Sequence, residues 1–202
     1  MERAAARSAR GLTVWIVVGA LITVPIVAAA ASPLLAYRSI AYIAAGFAGV
    51  VALGLVFAQP LLMSGALPGL SAYRARRLHR YTGVGLVAAV VVHVGGLWLT
   101  SAPDVIDALT FTSPTPFSPW GVVAMWAVFA SALLVALRRR LALRPKVWRA
   151  MHVLFAVVIV TGGVVHSLLI EGTMETWSKA ALCAAVVVAA LVALRRIVAR
   201  NG

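Results

Sequence analysis

Six runs of apolar residues, each near twenty long, alternate with short segments that hold almost all of the charge. A bilayer's hydrocarbon layer, about 30 Å thick, is crossed by about twenty helical residues. Inside it the backbone N–H and C=O groups have no water to bond, so only helices and closed barrels can span it. Barrel strands are roughly half as long as these runs, which leaves helices. The runs fall at about 12–31, 40–63, 80–100, 120–137, 148–170 and 177–194. They predict an all-α membrane protein, a six-transmembrane helical bundle held in a lipid bilayer. Composition agrees: 63% of the residues are hydrophobic and 11% charged, against about a quarter charged in a soluble domain.

The formal net charge of +13 would suit a nucleic-acid partner, but its placement points elsewhere. Arg3, Arg7 and Arg10 precede the first run, and Arg74, Arg76, Arg77 and Arg80 separate the second from the third. Arg138, Arg139, Arg140, Arg144, Lys146 and Arg149 separate the fourth from the fifth, and Arg195, Arg196 and Arg200 follow the sixth. In a six-span chain these segments share one side. That side holds 16 of the 18 basic residues, with only Arg38 and Lys179 opposite. Asp104, Asp107, Glu171 and Glu175 lie on the opposite side. The positive-inside rule then places both termini in the cytoplasm, in a bacterial-type inner (plasma) membrane, with no nucleic acid as partner. The expected organisation is a cytoplasmic tail at 1–11, a membrane domain at 12–198 and a second cytoplasmic tail at 199–202. The first run also has features of a cleaved signal peptide. Its core of about twenty residues exceeds the roughly 7–15 usual for one, so a retained helix is expected.

Several residues have simple readings. Cys183 is the only cysteine; it can form no intrachain disulfide or zinc motif and reads as a packing residue. Trp15 and Trp148 near one interface, and Trp98, Trp120 and Trp177 near the other, fit an aromatic belt. Pro25 predicts a kink in the first span. Pro103, Pro114, Pro116 and Pro119 punctuate the long connection between the third and fourth spans.

The four histidines form one pattern. His79 and His93 are fourteen residues apart in the third span, HRYTGVGLVAAVVVH, and His152 and His166 are fourteen apart in the fifth, HVLFAVVIVTGGVVH. Fourteen helical steps return a side chain to within about 40° of its first direction after about 21 Å of rise. In a supercoiled helix the return is complete. The two spans run parallel. If they are neighbours, His79 faces His152 near the inner surface and His93 faces His166 farther out. Two facing imidazoles at two depths are what two stacked b-type haems require, since imidazole nitrogen is a haem iron ligand. Two axial ligands per iron leave no open position, which favours electron transfer over oxygen binding. Gly83, Gly85, Gly95, Gly96, Gly162 and Gly163 lie near the ligands and would let a flat macrocycle approach the backbone.

A lone intramembrane histidine would more simply hydrogen-bond a neighbouring helix; four at one repeated interval call for a common cause. A metal-ion transporter is the rival from another class. It would want carboxylates or thiolates along its path, and the spans supply no carboxylate. A bare divalent ion without anionic ligands is costly in lipid.

The LHR…H stretch of the third span and WRAMH…H of the fifth resemble the ferric reductase-like transmembrane domain, the superfamily of ferric-chelate reductases and NADPH oxidases. The resemblance covers roughly residues 40–195. It implies six spans, cytoplasmic termini and two haems held by histidine pairs on the third and fifth helices. By motif it carries over only to His79, His152, His93 and His166 as axial ligands of haem iron. The chain departs from the larger members in one respect: it ends at Gly202 without the flavin and nicotinamide domains, and no Gly-rich dinucleotide fingerprint in a βαβ setting occurs in it.

The expected activity is transmembrane electron transfer, from a separate flavoprotein or quinol to an acceptor on the outer face. The chain is then a ferric reductase-like oxidoreductase or the haem subunit of a partner reductase. Arg76, Arg77, Arg80, Arg144, Lys146 and Arg149 are candidates to pair inner haem propionates or to steer an acidic donor, beside their topological role. The outer segment SAPDVIDALTFTSPTPFSP is expected to cover the outer haem, with Asp104 or Asp107 able to attract a cation. Glu171, five residues beyond His166, reads as solvated.

Overall fold

A computed structural model describes residues 2–199, with side chains from residue 9 onward. Met1 and the expected C-terminal tail from Arg200 onward lie outside the described residues. The helices are α1 (Glu2–Ala30), α2 (Ile40–Ser64), α3 (Ala72–Thr100), α4 (Ala102–Leu109), α5 (Ser118–Ala136), α6 (Arg138–Leu141), α7 (Pro145–Leu169) and α8 (Thr176–Ala199). Six of them, α1, α2, α3, α5, α7 and α8, are long and apolar enough to cross a membrane. The chain is an integral membrane protein of the expected six-helix class.

Local chemistry sets the helix ends. The Ser39 hydroxyl accepts the Tyr42 N–H at 3.2 Å and starts α2. Ser71 does the same for α3 through the Arg74 N–H at 3.4 Å. Each relieves one of the backbone donors that a first helical turn leaves unpaired. Gly65, left-handed with φ 65°, closes α2 where a side chain would be strained. The Ser71 cap has a larger consequence. It starts α3 well before the expected boundary at residue 80, so His79 stands two turns inside the helix and shares one rigid rod with His93. Two short helices were not anticipated: α4, over the Asp104–Asp107 segment, and the basic turn α6.

The core gathers Leu53, Val56 and Phe57 of α2, Leu86 of α3, Val128 of α5, and Leu182, Cys183, Val186 and Ala189 of α8. Cys183 is 2% exposed there, as a packing residue should be. Around this core α2 packs on α3 and α8, α5 on α7 and α3, and α7 on α8, while α1 lies outside against α2 and α8. The helices α3 and α7 are not a packed pair; what they bring together is side chains. Pro25 lies inside α1, and a second proline, Pro60, lies inside α2.

The α2–α3 contact depends on a missing side chain. A Cβ on Gly96 would stand 2.8 Å from the Ala45 Cβ and 3.1 Å from the Ala41 carbonyl oxygen. Small residues permit this kind of close approach between membrane helices. A Cβ on Gly95 would meet nothing within 4 Å. Gly96→Val should therefore lower stability by about 1–3 kcal/mol, the usual cost of overpacking, while Gly95→Ala leaves it unchanged or slightly raised. Thermal melting of the purified protein in detergent reads the difference.

Candidate functional site

The two rods α3 and α7 carry their histidines to two common levels. The ring centroids of His79 and His152 are 6.2 Å apart, with planes at 75°. Those of His93 and His166 are 6.4 Å apart, with planes at 83°. All four side chains are half-buried. The first pair sits at the arginine-rich end of the bundle and the second toward the end that bears Asp104 and Asp107. The fourteen-residue interval thus brings the pairs together as the sequence anticipates.

Each ring is held through its Nδ1 by a helix other than its own. His93 Nδ1 is 2.7 Å from the Ala45 carbonyl oxygen and His79 Nδ1 is 3.3 Å from that of Gln59, both on α2. His166 Nδ1 is 2.9 Å from the Phe117 carbonyl oxygen at the head of α5, and His152 Nδ1 is 3.1 Å from the Ser131 hydroxyl on α5. A carbonyl oxygen can only accept, so Nδ1 donates in three of these bonds and the neutral ring keeps its lone pair on Nε2. The anchors repeat the histidines' own interval: Ala45 and Gln59 are fourteen residues apart, as are Phe117 and Ser131. One such pair on α2 serves α3, and one on α5 serves α7. Gln59 adds a brace, its side-chain amide donating to the Thr82 hydroxyl at 2.8 Å.

The glycines divide differently from expectation. Gly96 and Gly162 are helix contacts; a Cβ on Gly162 would stand 2.8 Å from the Trp120 carbonyl oxygen. Gly83 and Gly85 face Gln59 and Leu55 of α2, and Gly95 faces open space. Of the six, only Gly163 lines the cavity described below. The glycines the histidines need are two others. A Cβ on Gly121 would reach 2.6 Å from His166 Nδ1, and one on Gly49 3.0 Å from His93 Nδ1. Each lies four residues beyond the carbonyl that anchors the ring, and the imidazole lies over its bare Cα.

A cavity of about 530 Å³ opens between His93 and His166, lined from α2, α3, α5, α7 and the start of α8. Apolar side chains such as Val50, Leu53, Leu86 and Met125 line its depth, and the connection from Ser101 to Ser118 contributes Asp104, Asp107, Ser113 and Thr115. This is the segment expected to cover that site. Lys179 also reaches the cavity. Among the described residues no three or more of His, Cys, Asp and Glu gather as a metal-binding group, so each level offers two donors only.

At the arginine-rich end a residue read above as belt meets the pair. Trp148 stacks on His152 with centroids 5.4 Å apart and planes at 6°. The Arg138 guanidinium lies 4.5 Å from the Trp148 ring centroid. Arg76, Arg77, Arg80, Arg144, Lys146 and Arg149 are all exposed. Arg77 turns to the Tyr81 hydroxyl, while Lys146 and Arg149 line a separate cavity of about 400 Å³ with Ala150, Val153 and Ile197. Glu171 is exposed, in accord with its solvated reading. The spacing of Trp148 four residues before His152, one helical turn on the same face, was the available signal for the stack. Nothing marked Arg138 among its neighbours.

Comparison with known proteins identifies a family. The family described as "Ferric reductase like transmembrane component" matches residues 45–163, a stretch that includes His79, His93 and His152 and ends three residues before His166. No curated protein and no solved structure matches the chain. The family match covers more than half of the sequence, and the chain therefore belongs to the ferric reductase-like transmembrane component family.

Proposed function

We propose that this domain is a transmembrane electron conduit in which His79 and His152 hold one b-type haem and His93 and His166 a second. The observation that carries the reading is the geometry of the two pairs. Two imidazoles that would share one metal ion from opposite sides, with metal–nitrogen bonds of about 2 Å and each ring centre roughly 1.2 Å behind its nitrogen, have centroids about 6.4 Å apart. The measured separations are 6.2 and 6.4 Å. Two donors per level suit a group that brings its own four equatorial nitrogens. A bare ion crossing the membrane would want more, which disfavours a transporter.

When bound, each haem would supply a one-electron iron couple, held by one histidine pair at each level. The chain's own residues prepare that chemistry. The Ala45, Gln59 and Phe117 carbonyls fix the tautomer that leaves Nε2 free, and such outer partners also raise ligand basicity. Gly49 and Gly121 admit the rings of His93 and His166 against α2 and α5. The apolar lining of the cavity keeps water from the metal and so bears on its potential.

The basic bias places the arginine-rich end and both termini in the cytoplasm, in a bacterial-type plasma membrane. The donor in this reading is a cytoplasmic flavoprotein or a membrane quinol at the arginine-rich end. The acceptor lies on the outer face. Arg76, Arg77, Arg80, Arg144, Lys146 and Arg149, all exposed, favour an acidic donor surface through steering. Family membership supports an oxidoreductase role, either as a terminal reductase or as the haem subunit of one. Reduction of ferric chelates by the purified protein with an artificial donor favours the first. Copurification of a reductase with no small acceptor reduced favours the second.

A pyridine haemochrome assay should give two b-type haems per chain, and a colourless purified protein would refute the proposal. His93→Ala should halve the haem content and spare the first level; equal loss at both levels in a folded protein would count against two separate sites. Gly121→Ala, a single methyl group against His166, should deplete the same haem as His93→Ala. The bound haem per chain and the optical spectrum read both variants.

A further inference from the structure

Lys179 stands apart from the other cations among the described residues. It is 6% exposed, lies in the first turn of α8 and lines the cavity between His93 and His166. Its Nζ donates to the Ile170 carbonyl oxygen at 2.7 Å. That carbonyl belongs to the residue that caps α7 and whose own N–H bonds the His166 carbonyl. An ammonium has three donors, and a neutral carbonyl does not offset the cost of withdrawing its charge from water. Asp104 and Asp107 line the same cavity, but both are exposed and neither forms an ion pair with Lys179 among the described residues. A buried cation thus faces a cavity shaped by two imidazoles, and its complement is an anion inside that cavity.

We propose that Lys179 binds a carboxylate of the porphyrin held between His93 and His166. The proposal rests on the haem reading above and deepens it: a b-type porphyrin carries two carboxylates on one edge, and α8 supplies the countercharge for one of them. The lysine fixes the edge of the macrocycle that enters nearest α8. Its positive charge also favours the reduced iron, so the level near the acidic end draws electrons from the level near the arginines.

The test is optical redox titration of the purified two-haem protein, wild type against K179M, K179Q and K179R. It is joined to redox difference infrared spectra of protein carrying haem labelled with carbon-13 at its propionate carboxyls. K179Q keeps a donor for the Ile170 carbonyl without the charge, and it carries the test should K179M fail to fold. In the uncharged variants the His93/His166 haem should shift about tenfold toward its oxidised form, a fall of about 59 mV for a one-electron couple, with the other haem unmoved. The labelled carboxylate bands should shift in the same variants, and K179R should restore both readouts. In a His93→Ala background the substitutions should leave the remaining haem unchanged. Unaltered potentials in a two-haem variant, equal shifts in both haems, or infrared changes insensitive to the label would each overturn the proposal alone. A colourless wild-type protein would overturn the haem reading together with it.

Discussion

A backbone carbonyl inside a membrane helix is already engaged with an amide four residues on, yet it keeps a second lone pair. Three of the four imidazoles take up that spare capacity, on Ala45, Gln59 and Phe117. The rest of the site follows from it. A ring whose Nδ1 is fixed to a neighbouring helix has one orientation and one free nitrogen. The neighbour must come close enough to offer its carbonyl, which is why bare Cα atoms at Gly49 and Gly121 face the rings of His93 and His166. Three of the ring nitrogens are satisfied by backbone alone, the fourth by the Ser131 hydroxyl, and the Gln59–Thr82 brace steadies the level of His79.

The two levels are built alike but charged differently. At one end, Arg138, Trp148 and His152 form a stack that leads from an exposed guanidinium to a half-buried imidazole. At the other, a single buried ammonium sits beside the cavity and the carboxylates stay at its exposed rim. Exposed charges are screened within about 10 Å by salt, whereas a buried one is screened far less. Charge for charge, the lone lysine therefore acts on its level with less screening than any one of the arginines does on theirs.

Much of this was legible in the sequence, because its signals were periodic. Six apolar runs set the class, and a repeated interval of fourteen paired the histidines. What stayed hidden lacked a side-chain signature. Anchoring carbonyls belong to every residue, so Ala45 and Phe117 look like any other positions. Glycines near a ligand in sequence need not be near it in space: Gly96 and Gly162 serve helix contacts, while Gly49 and Gly121, far from any histidine along the chain, face the rings. Trp148 looked like a belt residue because a belt and a stack use the same amino acid. The early start of α3 depended on one serine cap at Ser71, a weak cue beside a basic stretch that hydropathy alone reads as loop. Lys179 drew attention only as one of two cations opposite the other sixteen; its burial, which sets it apart from the exposed Arg38, has no signature in the sequence.

The matched spacing of Ala45 and Gln59 on α2 with His93 and His79 on α3 has a mechanical consequence. The two helices engage like a bolt with two threads: sliding or turning one against the other disengages both levels at once. One residue inserted between Ala45 and Gln59 would swing one carbonyl by about 100° and leave its ring unheld, whichever level kept its fit. Evolution can exchange side chains at either level separately, but the length of chain between them is common property.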